Sequence, residues 1–352
     1  MTRSRNMRFM VLKAAGVPCS RRHDFMLNEA WTPRYLSQYL RARRCWKEMR
    51  DHEVRMIRVF SYSRSGTHNY FSRFHYMPAC FVMHENLFEA ADDRHQLNAN
   101  AGSLKPIDLM ALSVFGPYGL QDKRGRDITR IVLPSNRYLE YPCELDPESL
   151  RKDYVIFYMR NFIRMLYSRQ KAAEKMDKTR MAVTDESFAA SAKKHMENMR
   201  QMMLLTADHP ERFKLVLHES FCARPDEVLR ESARFAGIPE DQVVFWKDAA
   251  AFFKEGFYRK DAPILENNQL WEILSGGEKR RIGGAKFNPV PPPSLKRTMS
   301  DPVAEWMTDE RLRICGEIFG EELTNLWLND SETTYAQSDA GVLDAMRRAV
   351  RR

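Results

Sequence analysis

The chain has no apolar run near the roughly 18 residues that a membrane-spanning helix needs. Its longest apolar windows are broken by Arg or Lys, as Lys13 breaks residues 7–16. That excludes a membrane span and argues against an export signal in the same window. Cysteine is scarce: Cys19, Cys45, Cys80, Cys143, Cys222 and Cys315 are widely spaced, with no C-x-x-C pair. The spacing supplies neither a zinc site nor a disulfide framework. A reduced, cytoplasmic setting and no metal are expected. No G-x-x-x-x-G-K-[ST] segment occurs, which disfavours an ATP- or GTP-hydrolysing phosphate-loop protein. There is no internal repeat.

What is present is ordinary globular composition. Hydrophobic residues make up 43% of the 352 and charged residues 29%. That excludes wholesale disorder and gives enough chain for a sizeable core. Lys and Arg number 56 against 47 Asp and Glu, a net charge of +9. Such an excess suits an anionic ligand, such as nucleic acid, a membrane surface, phosphate or sulfate, but charge alone favours plain solubility.

Five stretches read as strands: 55–63, 79–83, 128–134, 154–159 and 213–218. The run 154–159 is almost continuously apolar, as in a strand buried on both faces. Helical stretches lie at 67–76, 161–176, 186–206, 225–237 and 308–328. Pro225, the acids after it and Gly237 give the fourth its start and stop. Alternating strands and helices imply an α/β fold, a single large domain with a central parallel sheet flanked by helices. Residues 1–50 read as a basic helical extension packed on the main domain. Its helix near 34–50 faces solvent, RNA or a membrane with its Arg and Lys side. Residues 276–293 form a Gly, Pro and basic loop, and 329–352 a polar C-terminal tail.

Two segments carry chemistry. The first strand ends in Ser63-Arg64-Ser65-Gly66-Thr67-His68, and a helix follows. Small side chains and a flexible turn let backbone N–H groups converge on an anion, and Arg64 adds a charge. This reads as a P-loop-like phosphate-binding loop after the first strand, or as a Ser/Gly turn that merely ends it. The strand 154–159 ends in Arg160, and Ser168 follows eight residues later. An Arg at the carboxyl end of a parallel strand stands where α/β sheets bind ligands. Met199, Met202, Met203 and Leu204 read as core rather than as a ligand pocket.

These segments, in this order, resemble the sulfotransferases that use 3′-phosphoadenosine 5′-phosphosulfate (PAPS), over roughly residues 55–290. In that family a [Pro/Tyr]-x-[Lys/Arg]-Ser-Gly-Thr loop binds the 5′-phosphosulfate. The resemblance carries this to Ser63, Arg64, Ser65, Gly66, Thr67 and His68, with Ser63 where Pro is usual. An Arg-[Asp/Asn]-Pro-x5-Ser segment binds the 3′-phosphate. Here it is Arg160-Asn161-Phe162 with Ser168, the Pro absent. Residues 215–239 match a third segment, with His218-Glu219-Ser220 in place of Tyr-Glu-Asp. Residues 279–284 match an Arg-Lys-Gly-x-x-Gly loop, which brings Arg280, Arg281 and Gly283 to the nucleotide, Arg281 replacing a Gly.

The resemblance implies sulfuryl transfer from PAPS to a hydroxyl or amine acceptor, a carbohydrate or a small-molecule metabolite, without a metal. Val132 stands where many members carry a catalytic His. Arg130, matched to a Lys two residues earlier, would stabilise the sulfuryl group. Glu85, with His84 as alternate, would take the acceptor's proton. Two other readings remain open: a non-enzymatic basic nucleotide- or RNA-binding protein, and a nucleotide kinase with a degenerate phosphate loop. Nucleic acid is disfavoured, because no aromatic residues interleave with the basic patch.

Overall fold

A computed structural model describes residues 55–62, 64–71, 73–74, 77, 80–82, 129–135, 153–175, 182–245 and 303–352. Five parallel strands form one sheet in the order β2-β3-β1-β4-β5. They are β1 (Arg55–Ser61), β2 (Cys80–Val82), β3 (Arg130–Ser135), β4 (Tyr154–Met159) and β5 (Phe213–Leu217). Helices in chain order are α1 (Thr67–Phe71), α2 (Phe162–Lys175), α3 (Asp185–Asp208), α4 (His218–Ala223) and α5 (Pro225–Phe235). After residue 302 come α6 (Val303–Trp306), α7 (Asp309–Phe319), α8 (Glu321–Leu328), α9 (Glu332–Ala336) and α10 (Ala340–Val350). The architecture is α/β with helices on both faces of the sheet, as the alternation implies.

The alternation of side chains along each strand builds two cores. Val155, Phe157 and Met159 of β4 join Phe60 and Phe213 under α2, α3 and the C-terminal helices. Ile156 and Tyr158 join Ile57, Val59, Val132 and Val216 under α1, α4 and α5. A central strand with both faces covered must be apolar throughout, which is why β4 shows almost no polar letter. Phe157 is fully buried, and truncating such a ring costs about 3–5 kcal/mol.

Local signals set several boundaries. Thr184 caps α3: its hydroxyl accepts from Ser187 N–H, and Ser187 returns the bond. Gly320, at φ 82°, separates α7 from α8, so the single helix expected over 308–328 is two. The reading of 329–352 as a polar tail is corrected. Tyr335, Val342, Ala345, Met346 and Ala349 are buried in the core beneath α2 and α3. The 1–50 extension lies outside the described residues. Among the described residues no helix is long and apolar enough to cross a membrane, and Cys80, Cys222 and Cys315 are buried thiols.

The sheet order places β1 beside both β3 and β4. The chain leaves β1 toward α1 on one face and leaves β4 toward α2 on the other. Two neighbouring strands whose connections diverge open a crevice at their carboxyl ends, the common ligand position of such sheets.

Candidate functional site

The turn after β1 is built from unusual backbone. Ser65 N–H bonds to Tyr62 O at 3.2 Å, closing a four-residue turn. Arg64 sits at φ 71° and Gly66 at φ 77°. Arg64 is alone among the described non-glycine residues in adopting positive φ. Left-handed backbone costs an L-residue roughly 1–2 kcal/mol, so the turn is held by its surroundings. Tyr62 is one of those surroundings: its hydroxyl accepts from Asn198 Nδ2 at 2.7 Å, and its ring stacks on His195. Thr67 Oγ1 donates to Ser61 Oγ at 2.6 Å and ties the far side of the turn back to β1.

Gly66 is needed for a second reason. A Cβ there would lie 2.7 Å from His218 Cε1. His218 follows β5 directly, so the turn rests against the carboxyl-end residue of a strand two places away. Its Nδ1 is 2.9 Å from Tyr158 Oη, and its Nε2 is 3.4 Å from Cys222 Sγ. Burial and then the Arg160 charge hold its pKa well below the usual histidine range, so the ring is neutral.

Arg160 follows β4 and reaches across to the first turn, Nη1 donating to Arg64 O at 3.0 Å. The two segments that the sequence singled out are thus physically joined. Neither arginine enters an ion pair among the described residues. Two polar atoms here are buried without a hydrogen-bond partner among those residues: Ser65 Oγ and Arg160 Nε. Buried polar groups are nearly always paired, so this pair of orphans marks a place where a polar ligand belongs. Ser168 is partly buried in the second turn of α2.

Asn161 fixes the start of α2. Its Oδ1 accepts from Ile163 N–H at 3.0 Å and Arg164 N–H at 3.3 Å, an N-cap that makes the missing proline unnecessary. Its Nδ2 donates to Trp327 O and Asp330 Oδ2, and its N–H bonds to Glu219 Oε1 at 3.1 Å. Asp330 also pairs with Arg164 at 3.0 Å, both side chains buried, and accepts from Tyr335 Oη. Burial, then the nearby Asp330, push the Glu219 carboxyl up to about 7, and Arg160 draws it partly back. The sequence offers no local signal for this lattice. Asn161 and Asp330 are separated by 169 positions.

One assignment is corrected. Arg130 opens β3, in register with Arg55, so it stands at the amino end of the sheet. Arg64 and Arg160 stand at the carboxyl end. Its guanidinium donates to Ala236 O at 2.7 Å and Gly237 O at 2.9 Å and lies over the Tyr154 ring. It anchors the end of α5, not a reacting group. Val132 is likewise mid-strand, in register with Ile57, and fully buried, so it does not stand at a strand end where a base would. Of the helix expected at 67–76, the described residues show α1, Thr67–Phe71; residues 72, 75 and 76 lie outside the described residues. Ser63, the His68 side chain, His84, Glu85, Arg280, Arg281 and Gly283 lie outside the described residues. No metal-ligating cluster occurs among the described residues.

No family model matches the chain, and no curated protein matches it in sequence. Among solved structures it overlays on a sulfotransferase from Alicyclobacillus acidocaldarius with a TM-score of 0.36 and 15% identity, over 65% of this chain and 98% of that one. The functional reading therefore rests on the residues of the site.

Proposed function

We propose that the chain is a sulfotransferase that moves a sulfuryl group from PAPS to a hydroxyl or amine acceptor, a small molecule or a glycan. The observation that carries the reading is the joined pair of carboxyl-end turns. Arg160 bonds to Arg64 O, and Ser65 Oγ and Arg160 Nε are buried without partners. A bisphosphorylated nucleotide needs two anion sites at one sheet edge, and the orphaned atoms fit phosphate oxygens. The resemblance of residues 55–290 in three ordered segments supplies the identity of that nucleotide.

PAPS supplies a sulfuryl group attached to a good phosphate leaving group. The protein's part is positioning and charge stabilisation. Arg64, exposed at the tip of its turn, would meet the 5′-phosphosulfate as a guanidinium fork. The two left-handed residues bracketing Ser65 belong to the kind of turn whose N–H groups form an anion-binding concavity. Arg160 and Ser168 would hold the 3′-phosphate, and Arg280, Arg281 and Gly283 would close over the nucleotide. The neutral His218 ring and the raised Glu219 carboxyl are both coupled electrostatically to Arg160. Glu85, with His84 as alternate, would accept the acceptor's proton; Arg130 takes no part.

The test is transfer of labelled sulfate from PAPS across a panel of phenols, aliphatic alcohols, sugars and amines. Transfer to at least one class, lost in Arg64→Ala, supports the reading. For an aliphatic alcohol, Glu85→Gln is expected to slow turnover about a hundredfold with nucleotide binding kept. Transfer to no class, with no binding of adenosine 3′,5′-bisphosphate, contradicts it.

A further inference from the structure

A cavity lies away from the strand carboxyl ends, at the outer edge of the sheet. Its volume is about 290 Å³. Met203, Phe213, Leu215, Phe235 and Leu343 give it an apolar body. Among the described residues its charged lining is Lys214 and Arg347, with no acid. Thr206 also lines it, and its buried Oγ1 has no hydrogen-bond partner among the described residues. An apolar cleft with a few convergent polar groups is the usual form of a small-molecule site.

The edge of β5 adds a further donor. Val155 N–H bonds to Arg212 O, so the main chain of alternate residues Arg212, Lys214 and Val216 faces β4. The main chain of Phe213 and Leu215 faces outward. Phe213 N–H is taken by His209 O. Leu215 N–H has no partner strand among the described residues. Leu343 and Arg347 of α10 line the cavity over this edge, which leaves room for a compact molecule rather than an added strand.

Charge selects the head group. Lys214 pairs with Glu231 at 3.3 Å, and Arg347 pairs with Asp344 at 2.5 Å. Both acids are about half exposed, so these pairs are weak and a ligand carboxylate competes with them readily. The carbonyl end of α3 also abuts the cavity. It contributes about half a negative charge, which a ligand carboxylate overcomes only by displacing Glu231 or Asp344 from its cation. Size sets the body: about 290 Å³ is at the low end of small-molecule pockets, roughly 300–1,000 Å³.

We propose that this cavity is a binding site for a small carboxylate with an apolar body, of the size of a medium-chain fatty acid. The carboxylate meets Lys214, Arg347 and the Thr206 hydroxyl, and the chain lies on Phe213, Leu215 and Phe235. The site is independent of the sulfuryl-transfer reading.

The probe is octanoate, with octanol and octylamine as neutral and cationic controls, added to the full-length chain. Melting temperature should rise with octanoate concentration along a one-site linkage curve. Equilibrium dialysis should give one site per chain. Octanol and octylamine should bind at least about tenfold more weakly, the loss of one charge-assisted contact. Ala207→Phe, which grows a ring from a lining position of α3, should abolish octanoate binding. Arg347→Gln should weaken it about tenfold. Binding of adenosine 3′,5′-bisphosphate should be unchanged in both variants, which separates this site from the nucleotide turns. No octanoate binding, equal stabilisation by octanoate and octanol, or wild-type octanoate binding in both variants would overturn the proposal.

Discussion

Arg160 Nη1 donates to the backbone carbonyl of Arg64 at 3.0 Å, so the residue after β4 holds the shape of the turn after β1. The bond is to main chain, and it survives any change of the Arg64 side chain. Arg64 itself occupies left-handed backbone at φ 71°, where glycine fits without strain. Arg64→Gly should relieve roughly 1–2 kcal/mol of strain and lose about 0.5–1 kcal/mol to the freer unfolded chain. The variant should therefore be more stable by about 0.5–1 kcal/mol in urea unfolding. Its affinity for adenosine 3′,5′-bisphosphate should fall about ten- to a hundredfold, one charge-assisted hydrogen bond. A variant that is less stable and binds normally would mean the residue serves the fold.

Gly66 and His218 compete for the same space. Gly66→Ala places a Cβ 2.7 Å from His218 Cε1 at φ 77°. We expect a loss of about 2–3 kcal/mol from strain and overpacking. Part of it belongs to the imidazole. In a double-mutant cycle with His218→Ala, the two changes should couple by about 1 kcal/mol, the pair being less damaging than the sum. Strict additivity would show that the turn does not rest on that ring.

Asp330 serves Asn161, Arg164 and Tyr335 together. Asp330→Ala leaves the Arg164 charge buried without its partner and should cost about 3–5 kcal/mol. Removal of residues 329–352 should do at least as much harm, since Tyr335, Val342 and Met346 leave the core with it. Urea unfolding of both variants checks this. A truncated chain as stable as the full one would restore the reading of this segment as a tail.

His195 is fully buried among Tyr62, Phe162, Phe319 and Trp327. Neither ring nitrogen has a partner among the described residues. Burial lowers its pKa to about 3 from 6.5. Below pH 6.5 the unfolded chain takes up a proton that the folded chain refuses, so this residue removes stability as pH falls toward about 3. His195→Phe should remove that slope. Between pH 7 and pH 5 the variant should gain about 2 kcal/mol relative to the parent, whatever constant offset the larger ring adds. Glu219, raised to about 7, acts with the opposite sign: its stabilising proton is lost as pH rises from its unfolded value through 7. Parallel stability curves for parent and His195→Phe would show that the ring is not held neutral.

The sequence made the sheet legible because parallel strands buried on both faces leave a plain signature. The span 154–159 is recovered residue for residue, and 213–217 within one position. The two turns were legible through small residues and arginine placed after such strands. Arg130 was misplaced because matching letters along β3 does not say which end of the strand faces the ligand. The C-terminal helices were hidden by polar letters, although Val342, Ala345, Met346 and Ala349 fall at helical spacing on one face. The helix α4 was missed because His218-Glu219-Ser220 reads as a polar loop. Those residues are buried with distant partners: Tyr158 for His218, Asn161 for Glu219 and Asp339 for Ser220, each 58 or more positions away, and no local pattern reports that.

The central claim is that the turns after β1 and β4 form one site for a nucleotide carrying two phosphates. Calorimetric titration of adenosine 3′,5′-bisphosphate against adenosine 5′-monophosphate tests it most directly. On the parent chain the bisphosphate should bind at least about tenfold more tightly, the worth of one charge-assisted contact. Arg160→Ala should erase that difference, and because it also releases the Arg64 carbonyl it should weaken the monophosphate to a lesser degree. Equal affinities on the parent chain, or a preference for the bisphosphate that persists in Arg160→Ala, would contradict the account.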